Sequence, residues 1–219
     1  MPAASAPPPP HGGQPVLTMG RPLGEGRIVM IMTHGRSAAP KNILDLVPAL
    51  QHPDVTYIAP AASGNTWYPL SFMAPIEQNE PGITSGIAVV HALIADTIAH
   101  GVPSERIVLL GFSQGACLMV TAAHRRPARY GGVIVYSGGL IGPPGTTWPT
   151  EGSFHGTPVF FGCSDKDAHV PEERVRASAD VLGRMGATVT TRIYPGMGHL
   201  VNEDEIAFTR DLLNRLATA

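Results

Sequence analysis

The sequence predicts an α/β fold in which a mostly parallel β-sheet carries helices on both faces, as a three-layer sandwich. The first observation is that short apolar segments, typical of buried strands, alternate with segments of helical spacing. The second is the apolar run within residues 27–33, typical of a strand buried on both faces. The third is a helical face in residues 84–100, where apolar side chains recur every three or four positions. We therefore expect an active site at the carboxyl ends of the strands.

The predicted elements follow one another without an internal repeat. The strands are 16–19, 27–33, 55–59, 107–110, 133–136, 159–161 and 188–194. The helices are 40–50, 84–100, 114–124, 172–185 and 204–217. The first strand is expected at an edge of the sheet. Residues 60–81 form a long connection rich in Pro, Ala, Ser, Gly and Asn, and a connection of this length inside a domain is usually functional.

Composition limits the classes of protein to which the chain can belong. The 219 residues, with 43% apolar and 15% charged side chains, suit one globular domain over 15–219. The formal net charge of −2 leaves no basic excess for nucleic acid. Residues 1–14 are rich in Pro, Ala and Gly, so we expect a mobile or extended tail.

Targeting signals, apolar runs and cysteines bear on where the chain is located. The N-terminus has no charged residue and no continuous apolar segment, and no run of about 18 apolar residues occurs elsewhere, so we expect a cytoplasmic protein without stable membrane insertion. Cys117 and Cys163 lie in apolar stretches, which favours buried, reduced thiols. The sequence leaves the oligomeric state open, with a homodimer as one option.

The pattern Gly-x-Ser-x-Gly in residues 111–115 is the main candidate for chemistry, with Ser113 at its centre. A predicted strand precedes it and a predicted helix follows, which is the context of a nucleophile elbow. Gly111 and Gly115 would leave room for the sharp turn and for close packing of helix on strand. The alternative is a glycine-flanked serine in an ordinary turn.

A serine nucleophile needs a base, and the base needs an acid that fixes its tautomer. On such an elbow the chain order is Ser, then Asp or Glu, then His. His199, on a Gly-rich loop after the last predicted strand, is the best candidate for the base. Asp165 and Asp167 follow the preceding strand, and spacing alone does not separate them. His169 comes too soon after the acid to face it across the site, so we interpret it as a polar loop residue.

Four segments together resemble the phospholipase/carboxylesterase family of the α/β-hydrolase fold, which includes small bacterial carboxylesterases and acyl-protein thioesterases. They are 33–36 (Thr-His-Gly-Arg), 111–115 (Gly-Phe-Ser-Gln-Gly), 165–171 (Asp-Lys-Asp-Ala-His-Val-Pro) and 194–199 (Tyr-Pro-Gly-Met-Gly-His). The family pattern of an aspartate, two residues and Val-Pro selects Asp167 as the acid. The resemblance thus implies a triad of Ser113, Asp167 and His199, and an oxyanion hole made by the backbone amides of Arg36 and Gln114. It implies no cofactor, and no metal-ligand spacing is present.

The resemblance also bears on the substrate. The thioesterases usually have His-Gly-Leu-Gly-Asp where this chain has His-Gly-Arg-Ser-Ala at 34–38, which favours a small soluble ester over an acylated protein. Trp67, Tyr68 and Phe72, in the long 60–81 connection, could form a wall of the acyl pocket or simply pack under the loop. We expect a carboxylesterase for short- to medium-chain esters. The alternatives are a thioesterase or lysophospholipase, and a ligand-binding protein that has kept the fold.

Overall fold

A computed structural model describes residues 6–50 and 52–218. Within them seven strands form one sheet in the order β1-β3-β2-β4-β5-β6-β7. The strands are β1 (Val16–Gly20), β2 (Ile28–Thr33), β3 (Val55–Pro60), β4 (Ile107–Phe112), β5 (Gly132–Tyr136), β6 (Pro158–Ser164) and β7 (Thr188–Tyr194). Only the edge strand β1 runs antiparallel to its neighbour among these pairs. The predicted mostly parallel sheet is confirmed.

Helices cover both faces of this sheet. They are α1 (Pro40–Leu44), α2 (Val47–Leu50), α3 (Ile76–Asn79), α4 (Gly82–Ala99), α5 (Gln114–Arg125), α6 (Glu172–Arg184) and α7 (Glu203–Thr218). One core cluster joins apolar side chains of α4, α5 and α6 to one face, and a second joins those of α1, α2 and α7 to the other. Strand residues alternate between the clusters, with Ile31 in the first and Met30 and Met32 in the second. The result is the predicted three-layer sandwich.

The helix predicted over residues 40–50 is interrupted. The structure has two short helices there, α1 and α2, which are separated by Asp45 and Leu46. Pro48 accounts for the break, because a proline has no amide hydrogen and its ring clashes with the carbonyl four residues earlier, here that of Leu44. The two short helices still bury Ile43, Leu44 and Leu50.

Among the described residues, helix α4 is long and apolar enough to cross a membrane by length and composition alone, with 18 residues and a mean hydropathy of 1.5. Half of this stretch is buried inside the protein. Ile83, Ile87 and Val90 are almost fully buried in the core cluster shared with α5, and this packing accounts for the apolar composition.

The N-terminal segment differs from the predicted mobile or extended tail. Residues 1–5 of that tail lie outside the described residues, but residues 9–13 form turns and His11 is only 2% exposed. The turn is closed by a hydrogen bond from the Gly12 amide to the Pro8 carbonyl. The prediction from composition was wrong for this part because one buried histidine supplies hydrogen bonds that a Pro- and Gly-rich composition does not reveal.

Candidate active site

Ser113 occupies the sharp turn between β4 and α5, as the elbow pattern predicted. Its backbone has φ 56° and ψ −123°, a conformation that is strained for a non-glycine residue. A Cβ atom at Gly111 would lie 2.6 Å from Cα of Ala116, and one at Gly115 would lie 2.4 Å from the Thr33 carbonyl oxygen. The two glycines are therefore required because the backbones of α5, β4 and the end of β2 approach so closely.

Two loops from neighbouring strands bring His199 and Asp167 to this turn. The Nε2 atom of His199 lies 2.8 Å from the Ser113 hydroxyl oxygen. Its Nδ1 atom lies 2.7 Å from Oδ2 of Asp167. The sequence joined these three residues only by chain order, and the structure places them in one continuous chain of hydrogen bonds.

The Asp167 carboxylate is fully buried and all of its contacts favour the charged form. Oδ1 accepts hydrogen bonds from the backbone amides of His169 (2.8 Å) and Val170 (3.0 Å), while Oδ2 faces His199. Burial by itself would raise the pKa of Asp167, but the bonds from His199 and the two amides outweigh it and lower that pKa. The carboxylate is thus held ionised and in a fixed orientation.

Asp165, the other candidate for the acid, makes different contacts. Its Oδ1 accepts a hydrogen bond from the Gly196 amide at 2.8 Å, and the hydroxyl of Ser164 accepts one from the Gly198 amide at 3.0 Å. These bonds tie the loop after β6 to the loop that carries His199. Asp165 therefore holds the position of the histidine loop without contacting the imidazole, a role that spacing could not distinguish from that of the acid.

The His199 ring lies between two other rings. The Phe112 ring centroid is 5.1 Å from it, and that of His169 is 4.7 Å away in an edge-to-face arrangement. His169 is exposed, as expected of a polar loop residue, but its contact with His199 was not foreseen. No sequence signal indicated it, since two loops of different strands make the contact.

The proposed oxyanion donors, the amides of Arg36 and Gln114, come from the β2 loop and from the first residue of α5. A Cβ at Gly35 would lie 3.4 Å from Cβ of Ser113, so the β2 loop passes directly beside the nucleophile candidate. Within the described part of the chain, neither amide donates to another protein atom. The Arg36 guanidinium donates instead to the carbonyls of Pro69 and Leu70, which fastens the 60–81 connection to the β2 loop.

An open cleft of about 990 Å³ surrounds Ser113 and lies within the size range of small-molecule sites. Tyr68 and Phe72 line it. It is also lined by apolar side chains that sequence reasoning missed: Ile43, Leu46, Leu70, Cys117, Leu200 and Val201. No local pattern marks these residues, because they come together from α1, α5 and three connecting segments only in the folded chain.

Trp67 is a correction to the predicted pocket wall. It is fully buried and does not line the cleft. Its indole Nε1 donates to the His34 carbonyl at 2.9 Å, and its backbone amide donates to Oε1 of Gln114 at 2.9 Å. An indole N–H needs a partner when it is buried, and here the partner lies inside the protein, behind the site.

The structure also bears on two other possible sources of chemistry at the site, a metal ion and the two cysteines. In the described ranges no group of three or more His, Cys, Asp or Glu side chains is placed to hold a metal ion. Cys117 and Cys163 are both free and buried, and burial raises the pKa of each thiol to about 12. Both are therefore neutral thiols at physiological pH.

The site has a serine on a strained strand-to-helix turn at the carboxyl edge of a mostly parallel sheet. The serine is hydrogen-bonded to a histidine, and the histidine to a buried aspartate. These features define a protein of the α/β-hydrolase fold. The sequence profile of the phospholipase/carboxylesterase family matches residues 22–217. The chain belongs to that family, and the resemblance of the four segments is confirmed.

Individual relatives agree with this assignment. A probable carboxylesterase of Oryza sativa subsp. japonica is 30% identical over 138 residues, which are 63% of this chain and 51% of the relative. An acyl-protein thioesterase 1 of Gibberella zeae is 33% identical over 132 residues, 59% of this chain and 56% of the relative. The chain thus aligns with little more than half the length of these curated relatives.

Solved structures cover more of the chain. A phospholipase/carboxylesterase from Dyadobacter fermentans is 37% identical, with a TM-score of 0.87 over 92% of this chain and 97% of that one. The plant protein SOBER1 of Arabidopsis thaliana, at 21% identity and a TM-score of 0.71, shows the same fold.

Proposed function

We propose that this protein hydrolyses carboxylic esters of small molecules, with Ser113 as nucleophile, His199 as general base and Asp167 as the acid that orients it. The observation that carries the proposal is the unbroken hydrogen-bond chain from the buried Asp167 through His199 to Ser113. A serine hydroxyl is a weak nucleophile until a base takes its proton, and this chain supplies the base in the required orientation.

The reaction follows from the atoms in place. His199 Nε2 takes the Ser113 proton as Oγ attacks the ester carbonyl carbon, and the carbonyl oxygen becomes an oxyanion. The amides of Arg36 and Gln114 donate to it; a donor of this kind contributes about 3 kcal/mol. His199 then gives its proton to the leaving alcohol, which departs and leaves an acyl-serine. Water hydrolyses this ester by the same steps and releases the carboxylic acid.

The cleft favours an apolar acyl group of limited length. Apolar side chains, among them Phe72 and Leu70, and the ring of Tyr68 provide much of its lining. Each methylene that the cleft covers adds about 0.8 kcal/mol to binding, so kcat/KM is expected to rise with acyl length until the covering surface ends. This supports short- to medium-chain esters as the substrate class.

A thioester substrate is the second candidate, because one relative is named an acyl-protein thioesterase. The same chemistry cleaves both bonds. Pro69 and Leu70 line the cleft, and the Arg36 guanidinium binds both of their carbonyls. A wall fixed in this way favours a small ester over a bulky acylated protein. Matched acyl esters and thioesters of equal chain length separate the two candidates by kcat/KM.

Location and partners follow the same reasoning. We expect no stable membrane insertion, because the apolar helix α4 uses much of its surface in the core. The cytoplasm fits two free, buried thiols within the described residues, because oxidising compartments favour disulfides.

The decisive experiment combines labelling with turnover. A fluorophosphonate should modify Ser113, identified by peptide mass, and Ser113→Ala should lose the label and fall at least a thousandfold on nitrophenyl esters of two to eight carbons. Ser153→Ala, outside the cleft lining, is the matched control and should keep both. Activity of Ser113→Ala within tenfold of wild type would refute the nucleophile. A wild type with neither label nor turnover would favour the ligand-binding alternative.

A further inference from the structure

The N-terminal segment of residues 8–14, here called the N-terminal strap, packs against the back of the site. It lies outside residues 22–217, the part of the chain that matches the family. Its one fully buried side chain is that of His11, which is 2% exposed. A buried histidine needs partners for both ring nitrogens, so its contacts show what the strap holds.

His11 binds the 60–81 connection with both nitrogens. Nδ1 accepts a hydrogen bond from the Ser63 amide at 3.0 Å, so the proton of the neutral ring is on Nε2, which donates to the Trp67 carbonyl at 2.8 Å. The backbone amide of His11 donates to the Ser85 hydroxyl at 2.9 Å, and that hydroxyl donates to the Pro8 carbonyl at 2.7 Å. The strap is thereby fixed to both helix α4 and the connection.

Trp67 connects the strap to residues beside the proposed oxyanion donors. Its ring lies between the rings of His11 and His34, with both centroid distances at 5.2 Å. Its indole nitrogen donates to the carbonyl of His34, two residues before Arg36. Its backbone amide donates to the Gln114 side chain, whose Nε2 in turn donates to the Tyr68 carbonyl at 2.7 Å.

A second connection runs in parallel. The Ala62 amide, next to the Ser63 that His11 binds, donates to Nε2 of His34 at 3.1 Å. The other nitrogen of His34 donates to the carbonyl of Gly35 at 2.8 Å, directly before the Arg36 amide. His34, which binds the carbonyl of the Gly35–Arg36 peptide, and the side chain of Gln114 are therefore both bonded to one short segment, 62–68.

We propose that His11 is a positioning residue for the oxyanion hole: the N-terminal strap holds segment 62–68, and this segment fixes the directions of the Arg36 and Gln114 amides. The proposal rests on the proposed function. It rests on two sets of bonds: His34 binds the carbonyl of the Gly35–Arg36 peptide, and the Gln114 side chain binds the backbone of Trp67 and Tyr68. Small errors in donor direction weaken transition-state binding more than ground-state binding.

The test uses two substitutions at one position. His11→Phe keeps a ring against Trp67 but loses both hydrogen bonds, whereas His11→Gln keeps a donor and an acceptor. Gln14→Ala is the control within the strap, since among residues 6–50 and 52–218 the Gln14 side chain bonds only to the Pro10 carbonyl. For each protein kcat is measured per active site titrated with fluorophosphonate, together with KM, the inhibition constant of a trifluoromethyl ketone, and the melting temperature.

We expect His11→Phe to lower kcat about tenfold and to raise the inhibition constant of the trifluoromethyl ketone by a similar factor, while KM stays within threefold of wild type. The loss is smaller than the factor of about 10² to 10³ in kcat that removal of a whole donor would cost. His11→Gln and Gln14→Ala should stay within threefold of wild type. A His11→Phe protein that melts earlier but keeps kcat per titrated site and ketone inhibition would overturn the proposal, since the strap would then only stabilise the fold.

If His11→Phe does not fold, Ser85→Ala gives the answer by the same measurements, because it releases the strap from α4 and so loosens the support of the His11 ring without changing the imidazole itself. A two- to fourfold loss in kcat and in ketone affinity supports the proposal, and no loss in either overturns it. Absence of labelling and turnover in the wild type would refute the proposed function as well, whereas an active wild type with an unaffected variant would refute only the positioning role.

Discussion

Replacing Asp167 with asparagine should change which nitrogen of His199 carries the proton. The two backbone amides that donate to Oδ1 of Asp167 would bind the asparagine carbonyl oxygen, because an NH₂ group cannot accept them. The NH₂ group would then face Nδ1 of His199, now 2.7 Å from Oδ2, and make that nitrogen an acceptor. The ring proton would move to Nε2, the atom that has to take the proton of Ser113.

The size of the effect follows from this tautomer. A histidine with its proton facing the nucleophile cannot act as the base, and in serine hydrolases this error costs about 10⁴ in kcat. That factor corresponds to about 5.5 kcal/mol of transition-state stabilisation. Asp165→Asn is the matched control: its carbonyl oxygen can still accept from the Gly196 amide, so we expect a loss below fivefold.

The assay is steady-state hydrolysis of nitrophenyl butyrate at pH 8, with both variants corrected for folded protein by circular dichroism and melting temperature. An Asp167→Asn enzyme that keeps more than a tenth of wild-type kcat would show that this carboxylate does not set the tautomer. Equal losses in the two variants would mean that the loop, and not the individual carboxylate, is what matters.

Three further substitutions probe packing, specificity and buried charge. Trp67→Ala should destabilise the protein by about 3–5 kcal/mol in urea unfolding and leave the order of preference among acyl lengths unchanged, because Trp67 is buried behind the cleft. Phe72→Ala should move the optimum of kcat/KM to longer acyl chains; an unmoved optimum would exclude Phe72 as the limit of the pocket. The free energy of unfolding of Glu205→Gln should exceed that of wild type by an amount that grows between pH 5 and 8, up to about 3 kcal/mol. The reason is that burial raises the pKa of Glu205 from 4.5 to about 7. Wild type thus loses stability as pH rises through this window and the buried carboxylate becomes charged. A difference in melting temperature between the two proteins that does not change with pH would contradict this prediction.

Most of the fold could be predicted because it depends on local periodicity. The seven strands were predicted in order, and each lies within about three residues of its observed bounds at either end. The prediction of a single helix over 40–50 was wrong because it overlooked Pro48, which interrupts the helix in the turn that precedes it. The prediction of a mobile or extended N-terminal tail was wrong because composition gives no indication that His11 is buried and anchors the segment.

The predictability of the site depends on how far apart its parts are in the chain. The elbow around Ser113 is contiguous, so a short pattern identifies it. The acid required the family resemblance, since Asp165 and Asp167 differ only in what lies across from them in space. Trp67 was placed on the wrong side of its loop, because an aromatic residue in a Pro-rich connection gives no indication of which way it faces.

The sequence by itself therefore determined the class of fold, the nucleophile candidate and the order in which the acid and base follow it, because periodicity and short motifs act through neighbouring residues. The tertiary structure decided the remainder. It separated the two aspartates, put Trp67 behind the cleft and Tyr68 inside it, and joined His11 to the residues that carry the oxyanion amides. Each of these depends on hydrogen bonds between segments tens of residues apart, and such bonds are set by the packing of whole elements and not by any local pattern.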